Sequence, residues 1–184
     1  MLKLVSKYSL RHLRVFTVDE LVKFFKLKPS EAYRLLIEVR KIEPLEPISL
    51  NLLRLDYRVS VGVYGFYGEY EQLLDFDPDP LLAPSLVNEE FLNYLLFDLP
   101  QVLDYDRRPV LVLNFDERFS KWILEGLNYS LSILKRISVA YSTPVVVCCR
   151  KYIKLDTRAD FIVYKRGEKT LAQVLPENSV LELK

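Results

Sequence analysis

The sequence predicts an α/β fold: a mainly parallel sheet flanked by helices, with antiparallel C-terminal strands and a small helical N-terminal module. Two apolar runs typical of buried strands, Val110–Phe115 and Val145–Cys149, flank a stretch whose apolar residues recur at helical spacing. A strand, a long helix and a second strand make a βαβ unit, which requires parallel strands and a right-handed crossover. Three shorter strand patterns follow, at 160–165, 170–175 and 180–183.

The composition is that of a folded, cytoplasmic protein. Of the 184 residues, half are hydrophobic and 28% are charged, which supplies a core and argues against disorder. We read no signal peptide and no membrane span, since the latter needs roughly 20 apolar residues in a row. Cys148 and Cys149 are neighbours on a predicted strand, so we expect reduced, packed thiols on opposite faces. The many Lys, Arg, Glu and Tyr residues resemble the composition of thermophile proteins.

The predicted boundary between the helical module, 1–46, and the core domain, 47–184, lies in a proline-containing segment. Thr17 and Glu20 match a capping box, which begins a first helix. Ser30 is placed to cap a second helix after a short break. Two short helices around a brief turn are typical of a helix-turn-helix, although a helical hairpin that only packs remains an alternative.

Charge is distributed unevenly along the chain. Residues 1–41 contain ten Lys and Arg against four Asp and Glu, whereas residues 65–106 contain ten Asp and Glu and no cation. Basic side chains on exposed helices bind the phosphates of DNA, because each contact releases condensed counterions. The cations of the module that we predict to bind DNA are Lys23, Lys28, Arg34, Arg40 and Lys41.

A glycine-containing turn, 65–68, is predicted directly after a strand at 59–64. A phosphate-binding loop, G-x-x-x-x-G-K-[ST], occupies such a place, and its lysine neutralises the phosphates. When Gly65 is aligned with the first glycine, Tyr70 takes the second glycine position and Glu71 the lysine position. We therefore expect no cofactor and no ATP hydrolysis at a degenerate phosphate loop that contains Gly65, Gly68, Tyr70 and Glu71.

The order of these features resembles the ATPase core of the RecA superfamily, in particular archaeal recombinases of the RadA type. Val110–Asp116 resembles the Walker B strand, with Asp116 at its acidic end. Segments 48–53, 134–147 and 159–167 resemble other parts of that core. The resemblance implies a RecA-like core joined to a DNA-binding module. With the phosphate loop degenerate, it points to a non-catalytic accessory protein in DNA recombination or repair.

The acidic segment, 65–106, is predicted to bind a protein partner such as a recombinase. Its carboxylates repel DNA, and aromatic side chains among them are typical of protein interfaces. The aromatic residues that flank the degenerate loop, and that we expect in this interface, are Tyr67, Tyr70 and Phe76. We expect Phe91 and Phe97 to face the core.

Two other functions remain open at this stage. The helix-turn-helix is also typical of a transcription regulator, in which the α/β part serves dimerisation or sensing. Asp116 and Glu117, after a buried strand, could hold magnesium for a nuclease, although either could simply cap the next helix. His12 is the only histidine, which excludes sites that need several. We expect no resident metal and no enzymatic activity.

Overall fold

The computed structural model describes residues 6–69, 74–83, 89–115 and 124–183. Within them the helices are α1 (Leu10–Leu13), α2 (Val18–Phe25), α3 (Pro29–Arg40), α4 (Glu89–Asn93), α5 (Leu99–Tyr105) and α6 (Leu124–Tyr141). The strands are β1 (Leu50–Leu52), β2 (Tyr57–Val59), β3 (Gly62–Tyr67), β4 (Phe76–Asp77), β5 (Leu81–Ala83), β6 (Val110–Val112), β7 (Pro144–Cys149), β8 (Ala159–Arg166), β9 (Lys169–Leu175) and β10 (Ser179–Glu182).

The main sheet confirms the predicted α/β class. Its seven strands lie in the order β10-β9-β8-β3-β7-β6-β5. The five strands from β8 to β5 run parallel, and β8, β9 and β10 are joined as antiparallel neighbours. The predicted βαβ unit is β6, α6 and β7, with β6 and β7 parallel and adjacent. The predicted C-terminal strands are β8, β9 and β10.

Helices cover one face of the main sheet, and a small sheet covers the other. On β7, Val145, Val147 and Cys149 face the helices, whereas Val146 and Cys148 face the second cluster of buried side chains. That second cluster includes residues of β1 and β2, which form a three-stranded sheet with β4. The predicted flanking helices are confirmed, and in the described structure they lie on one face of the sheet. Both cysteines are buried and lie on opposite faces of the sheet, as the alternation along a strand predicts.

The N-terminal helices are built into the same hydrophobic cluster as α6 and β7. Phe97 lies at the centre of this contact, and its ring meets the rings of four residues from the module: Tyr8, Phe16, Phe24 and Phe25. Phe97 is half-buried and Phe91 is fully buried, so both face the core as expected. Residues before and after position 46 belong to one hydrophobic cluster. The predicted domain boundary at residue 46 stays a prediction.

The strand predicted at 59–64 is displaced in the structure. Val59 ends β2 and pairs with Leu50 of β1, and the chain then turns at Gly62, whose φ is +146°. β3 begins at Gly62 and continues through Tyr67 because each of its residues pairs with β7. The predicted turn at 65–68 is therefore wrong for its first three residues, which belong to the strand.

The helical stretch that begins with α4 continues past Pro100 to Tyr105. Between α4 and α5 the chain forms a π-helical segment, Tyr94–Asp98, and the N–H of Leu99 donates to the carbonyl of Tyr94, five residues earlier. This shift makes Pro100 a first-turn residue of α5, where a missing N–H is tolerated. The strand predicted at 110–115 is shorter than expected, because Asn114 adopts a left-handed conformation with φ of 51°. None of the helices in the described ranges is both long and apolar enough to cross a membrane.

Candidate nucleic-acid interface

The α2–α3 pair forms as two capped helices around a short turn. Thr17 begins α2 with the predicted capping box: its side chain accepts from the N–H of Glu20, and the Glu20 carboxylate accepts from the N–H of Thr17. Lys26 ends α2 in the left-handed conformation, with φ of 55°. Glycine is favoured at such a position, and a lysine there costs about 1 kcal/mol. The turn between α2 and α3 therefore forms with lysine, and not glycine, at its left-handed position.

The second helix begins one residue earlier than predicted. Its N-cap is Lys28 and its first residue is Pro29, so the prediction of Ser30 as the cap is wrong. Proline suits the first helical position because its fixed φ matches the helix and its missing N–H is not needed there. The Glu31 carboxylate accepts the backbone N–H of Lys28 at 2.9 Å, which supplies the cap that Lys28 itself cannot.

A buried ion pair fixes α2 to α6. The Glu20 carboxylate accepts from both terminal nitrogens of Arg136, at 2.6 and 2.8 Å, and from the Tyr129 hydroxyl at 2.6 Å. Burial alone would raise the pKa of Glu20, but these hydrogen bonds and that of Thr17 hold it below its ordinary value. Glu20 thus caps its own helix and joins that helix to the core.

The only histidine has a structural role. Nε2 of His12 lies 2.7 Å from the carbonyl oxygen of Leu96, which only accepts, so Nε2 carries the proton. In a regular helix that carbonyl would accept from residue 100, which is a proline and has no N–H. Burial lowers the pKa of His12, against the raising effects of the Leu96 hydrogen bond and of Asp104 and Asp98. His12 therefore stabilises the junction between α1 and the π-helical segment that precedes α5.

All five predicted DNA-binding cations are exposed on α2, α3 and the positions that cap α3. Lys41 pairs with Glu38 at 2.7 Å, and both side chains are about two-thirds exposed. Among the described residues, no carboxylate pairs with the other four cations. Arg34 and Lys41 are seven residues apart and lie on one face of α3. The four cations that are available to an anionic partner are Lys23, Lys28, Arg34 and Arg40.

Two apolar side chains on the same exposed surface were missed by the sequence analysis. Tyr33 is 60% exposed and Ile37 is 40% exposed, next to Arg34 on α3. The signal was present in the sequence, because residues 32, 35, 36 and 39 define the buried face and leave 33 and 37 outside it. An exposed helix that carries cations and an aromatic ring is suited to both phosphate and base contacts.

The degenerate phosphate loop is not formed as predicted around Gly65. Gly65 lies inside β3, where it pairs with Val147 on one side and Asp160 on the other. A Cβ at this position would lie 2.6 Å from Oδ1 of Asp160 and 2.7 Å from the hydroxyl oxygen of Tyr67. Gly65 is therefore required by a buried polar pair, and not by a bound phosphate.

Gly68 begins the chain segment that leaves β3, with φ of +106°, and its N–H donates to the carbonyl of Cys149. The other two residues of the predicted loop, Tyr70 and Glu71, lie outside the described residues. A shallow cleft of about 220 Å³ next to Gly68 is lined by Glu69, Val163, Tyr164, Lys165 and Thr170. Glu69 and Lys165 pair with each other at 2.9 Å, so this cleft has no free cation for a phosphate among its lining residues.

Of the predicted partner-binding residues, the two that the structure describes, Tyr67 and Phe76, do not form an exposed surface. Tyr67 is only 1% exposed, so its assignment to an interface is wrong; its ring lies beneath Tyr152, 4.9 Å between centroids. Burial raises the pKa of the Tyr67 hydroxyl, which Asp160 raises further. Phe76 is half-buried against the small sheet, and Tyr70 lies outside the described residues. Among the described rings of the acidic segment the most exposed is instead that of Tyr105, a residue that was not singled out from the sequence.

No group of three or more potential metal ligands occurs within the described parts of the chain. The Walker B-like residue Asp116 and its neighbour Glu117 lie outside the described residues. Comparison with known proteins adds no identity: no protein-family model matches the chain, and no curated protein sequence matches it.

Proposed function

We propose that the protein is a non-catalytic, RecA-like accessory protein of DNA recombination or repair. It binds DNA through α2 and α3 and a protein partner through its acidic segment. The observation that carries DNA binding is the set of four exposed cations without a carboxylate partner among the described residues. Unpaired surface cations gain the full counterion-release benefit when they meet phosphates, whereas a paired cation must first give up its carboxylate.

The RecA-like part of the proposal is based on the sequence resemblance of segments 48–53, 110–116, 134–147 and 159–167 to that core. The strand that leads to Gly68 is β3, and the Walker B-like strand is β6. Strand β7 lies between them in the sheet. The antiparallel β8-β9-β10 hairpins extend the sheet on the other side of β3.

The non-catalytic part of the proposal is based on the loop chemistry. Tyr70 and Glu71 occupy the positions of the second glycine and the lysine in the sequence, and Gly65 is held within β3. A carboxylate in place of the lysine repels a triphosphate, since like charges in a confined site raise the energy of binding. We propose no nucleotide as a ligand.

A helix-turn-helix transcription regulator is the alternative that a specific observation favours. Three residues separate α2 from α3, as in that motif, and α3 exposes Tyr33 and Ile37 beside Arg34. Side chains of this kind can contact base edges, which would give a sequence preference that an accessory repair protein does not need.

DNA binding by the full chain tests the proposal. We would measure fluorescence anisotropy with a labelled duplex of mixed sequence and with the matching single strand. The comparison is between the parent protein and a variant with Lys23, Lys28, Arg34 and Arg40 replaced by Ala. We expect the parent to bind and the variant to bind at least about ten-fold more weakly, because several phosphate contacts are lost. A variant with Lys165 and Lys169 replaced by Ala is the matched control. These lysines lie outside α2 and α3, and each pairs with a carboxylate, that of Glu69 or Glu182.

Equal affinity of the parent and the four-site variant would contradict the proposal. Tight binding to one selected operator, with weak binding to mixed sequences, would favour the transcription regulator. Magnesium-dependent cleavage of the labelled DNA would favour a nuclease that uses Asp116 and Glu117.

A further inference from the structure

Helix α5 exposes an apolar pair on its outer side. Tyr105 is 93% exposed, and no large hydrophobic side chain among the described residues is more exposed. Val102, three residues earlier and therefore on the same side of the helix, is 38% exposed. A tyrosine ring that contacts almost nothing in its own chain offers a large apolar area at low entropic cost, which is typical of an interface anchor.

The helix that presents these residues is held rigidly on its inner side. Leu99 and Leu103 are buried in the main core. Asp104 accepts from the hydroxyl of Ser9 at 2.8 Å, and the hydroxyl of Tyr141 lies 3.1 Å from the same oxygen. A fixed helix loses little conformational freedom when a partner docks, so more of the contact energy appears as affinity.

A carboxylate without a cation partner lies beside the apolar pair. Asp98, four residues before Val102, is exposed on the same side of the helix, and no cation among the described residues pairs with it. Glu89 and Glu90 are exposed on α4, at the start of the same helical stretch. Asp106 follows Tyr105 and pairs with Arg108 at 3.0 Å. The sequence has no Lys or Arg from residue 65 to 106. Of the two cations that follow, Arg107 donates to the carbonyl oxygens of Glu46 and Tyr141, and Arg108 pairs with Asp106. Asp98 is therefore the charge beside the apolar pair that is available to a cation of a partner.

We propose that the exposed side of α5, formed by Asp98, Val102 and Tyr105, binds a basic segment of a partner protein. An apolar side chain of that segment packs on Tyr105 and Val102, and a Lys or Arg pairs with Asp98. This inference deepens the partner-binding half of the proposed function, and it is independent of the DNA-binding half because the two surfaces share no residue.

The test selects binding peptides from a random library displayed on phage, with the full-length protein as the target. A variant with Val102→Ser and Tyr105→Ser serves for counter-selection and should fold normally, since both side chains are exposed. We expect the enriched peptides to combine Lys or Arg with a large apolar residue. They should bind the double variant at least about ten-fold more weakly than the parent, as for loss of interface anchors.

Two further variants separate the outcomes. Asp98→Asn should weaken the same peptides and reduce the salt dependence of their binding, and Tyr33→Ala on α3 should leave their affinity unchanged. The inference is wrong if no peptide distinguishes the parent from the double variant, if the enriched peptides lack excess cations, or if Asp98→Asn has no effect. The DNA affinity of the double variant should equal that of the parent, so a failure of DNA binding is scored separately from a failure of peptide binding.

Discussion

The carboxylate of Glu20 and the guanidinium of Arg136 form a two-fold hydrogen-bonded ion pair between α2 and α6. The side chain of Glu20 is 6% exposed and that of Arg136 is 20% exposed. Because Glu20 also closes the capping box of α2, one carboxylate sets both where the helix begins and where it docks. The placement of α2 on the core, and with it that of the proposed DNA-binding surface, therefore depends on this pair.

Replacing Arg136 with Met should reduce the free energy of unfolding by about 3 kcal/mol, because the buried Glu20 carboxylate loses its cation. Denaturant unfolding measures the change. Lys41→Met, which removes one partner of an exposed ion pair, is the control and should cost less than about 0.5 kcal/mol. An effect of Arg136→Met no larger than that of the control would show that the ion pair does not secure α2.

The same pair predicts a pH dependence of stability. Because the pKa of Glu20 is lowered in the folded protein, its contribution is present above the unfolded pKa of about 4.5 and is lost as pH falls through the folded pKa. In Arg136→Met, burial still raises the pKa of Glu20 while its main opposing partner is gone. We therefore expect the stability difference between the parent and Arg136→Met to shrink as pH falls below about 4.5, because only the parent loses a favourable contribution when Glu20 is protonated. Unfolding curves that shift identically with pH in both proteins would contradict this.

His12 should titrate below its ordinary pKa, because protonation would place a second N–H, at Nδ1, in a site with no described acceptor. The unfolded chain takes up the proton near pH 6.5, so stability should fall as pH drops below about 6.5. Because the chain has one histidine, its ring signals in a proton NMR titration report this pKa directly. His12→Gln, which keeps a donor and cannot titrate, is the control for the unfolding measurements. A ring that titrates at or above about 6.5 would contradict the prediction.

DNA binding should depend steeply on salt, with each phosphate contact adding about 0.9 to the slope of log affinity against log salt for a duplex. Replacing Arg34 and Arg40 with Ala should lower that slope by about 1.8, if each contacts one phosphate. Replacing Lys41 should have a smaller effect, because Lys41 is paired with Glu38. A slope that is unchanged in the double variant would place the phosphate contacts elsewhere.

Gly65→Ala should reduce the free energy of unfolding by about 1–3 kcal/mol, because the added Cβ would overlap the buried side chains of Asp160 and Tyr67. Gly167→Asn is the control: nothing lies within 4 Å of a Cβ there, and asparagine tolerates the left-handed conformation of that turn. If both variants were equally stable, the packing reason for Gly65 would be wrong.

ATP hydrolysis by the purified protein should not exceed background, because Tyr70 and Glu71 stand where a phosphate-binding loop has its second glycine and its lysine. A phosphate-release assay with magnesium measures it, with Asp116→Ala as the comparison. Turnover above background that Asp116→Ala abolishes would reverse this prediction.

The α/β class and most elements could be predicted because they depend on local pattern. The apolar runs around 110 and 145, the helical spacing between them and the capping box at Thr17 each fix an element through contacts near in sequence. The exposure of the α3 cations followed in the same way, since the spacing of Ala32, Leu35, Leu36 and Val39 leaves the opposite side outside.

The tertiary structure decided what local pattern does not encode. Gly65 and Pro100 are turn and stop signals by themselves, yet pairing with β7 keeps the first in a strand, and a π-helical segment allows the helix to continue past the second. The burial of Tyr67 and the exposure of Tyr105 depend on residues distant in the chain, and no spacing rule distinguishes them. The partners of Glu20 and His12 lie 116 and 84 residues away. Hydrogen bonds between such distant groups are specified only when the sheet and helices have packed.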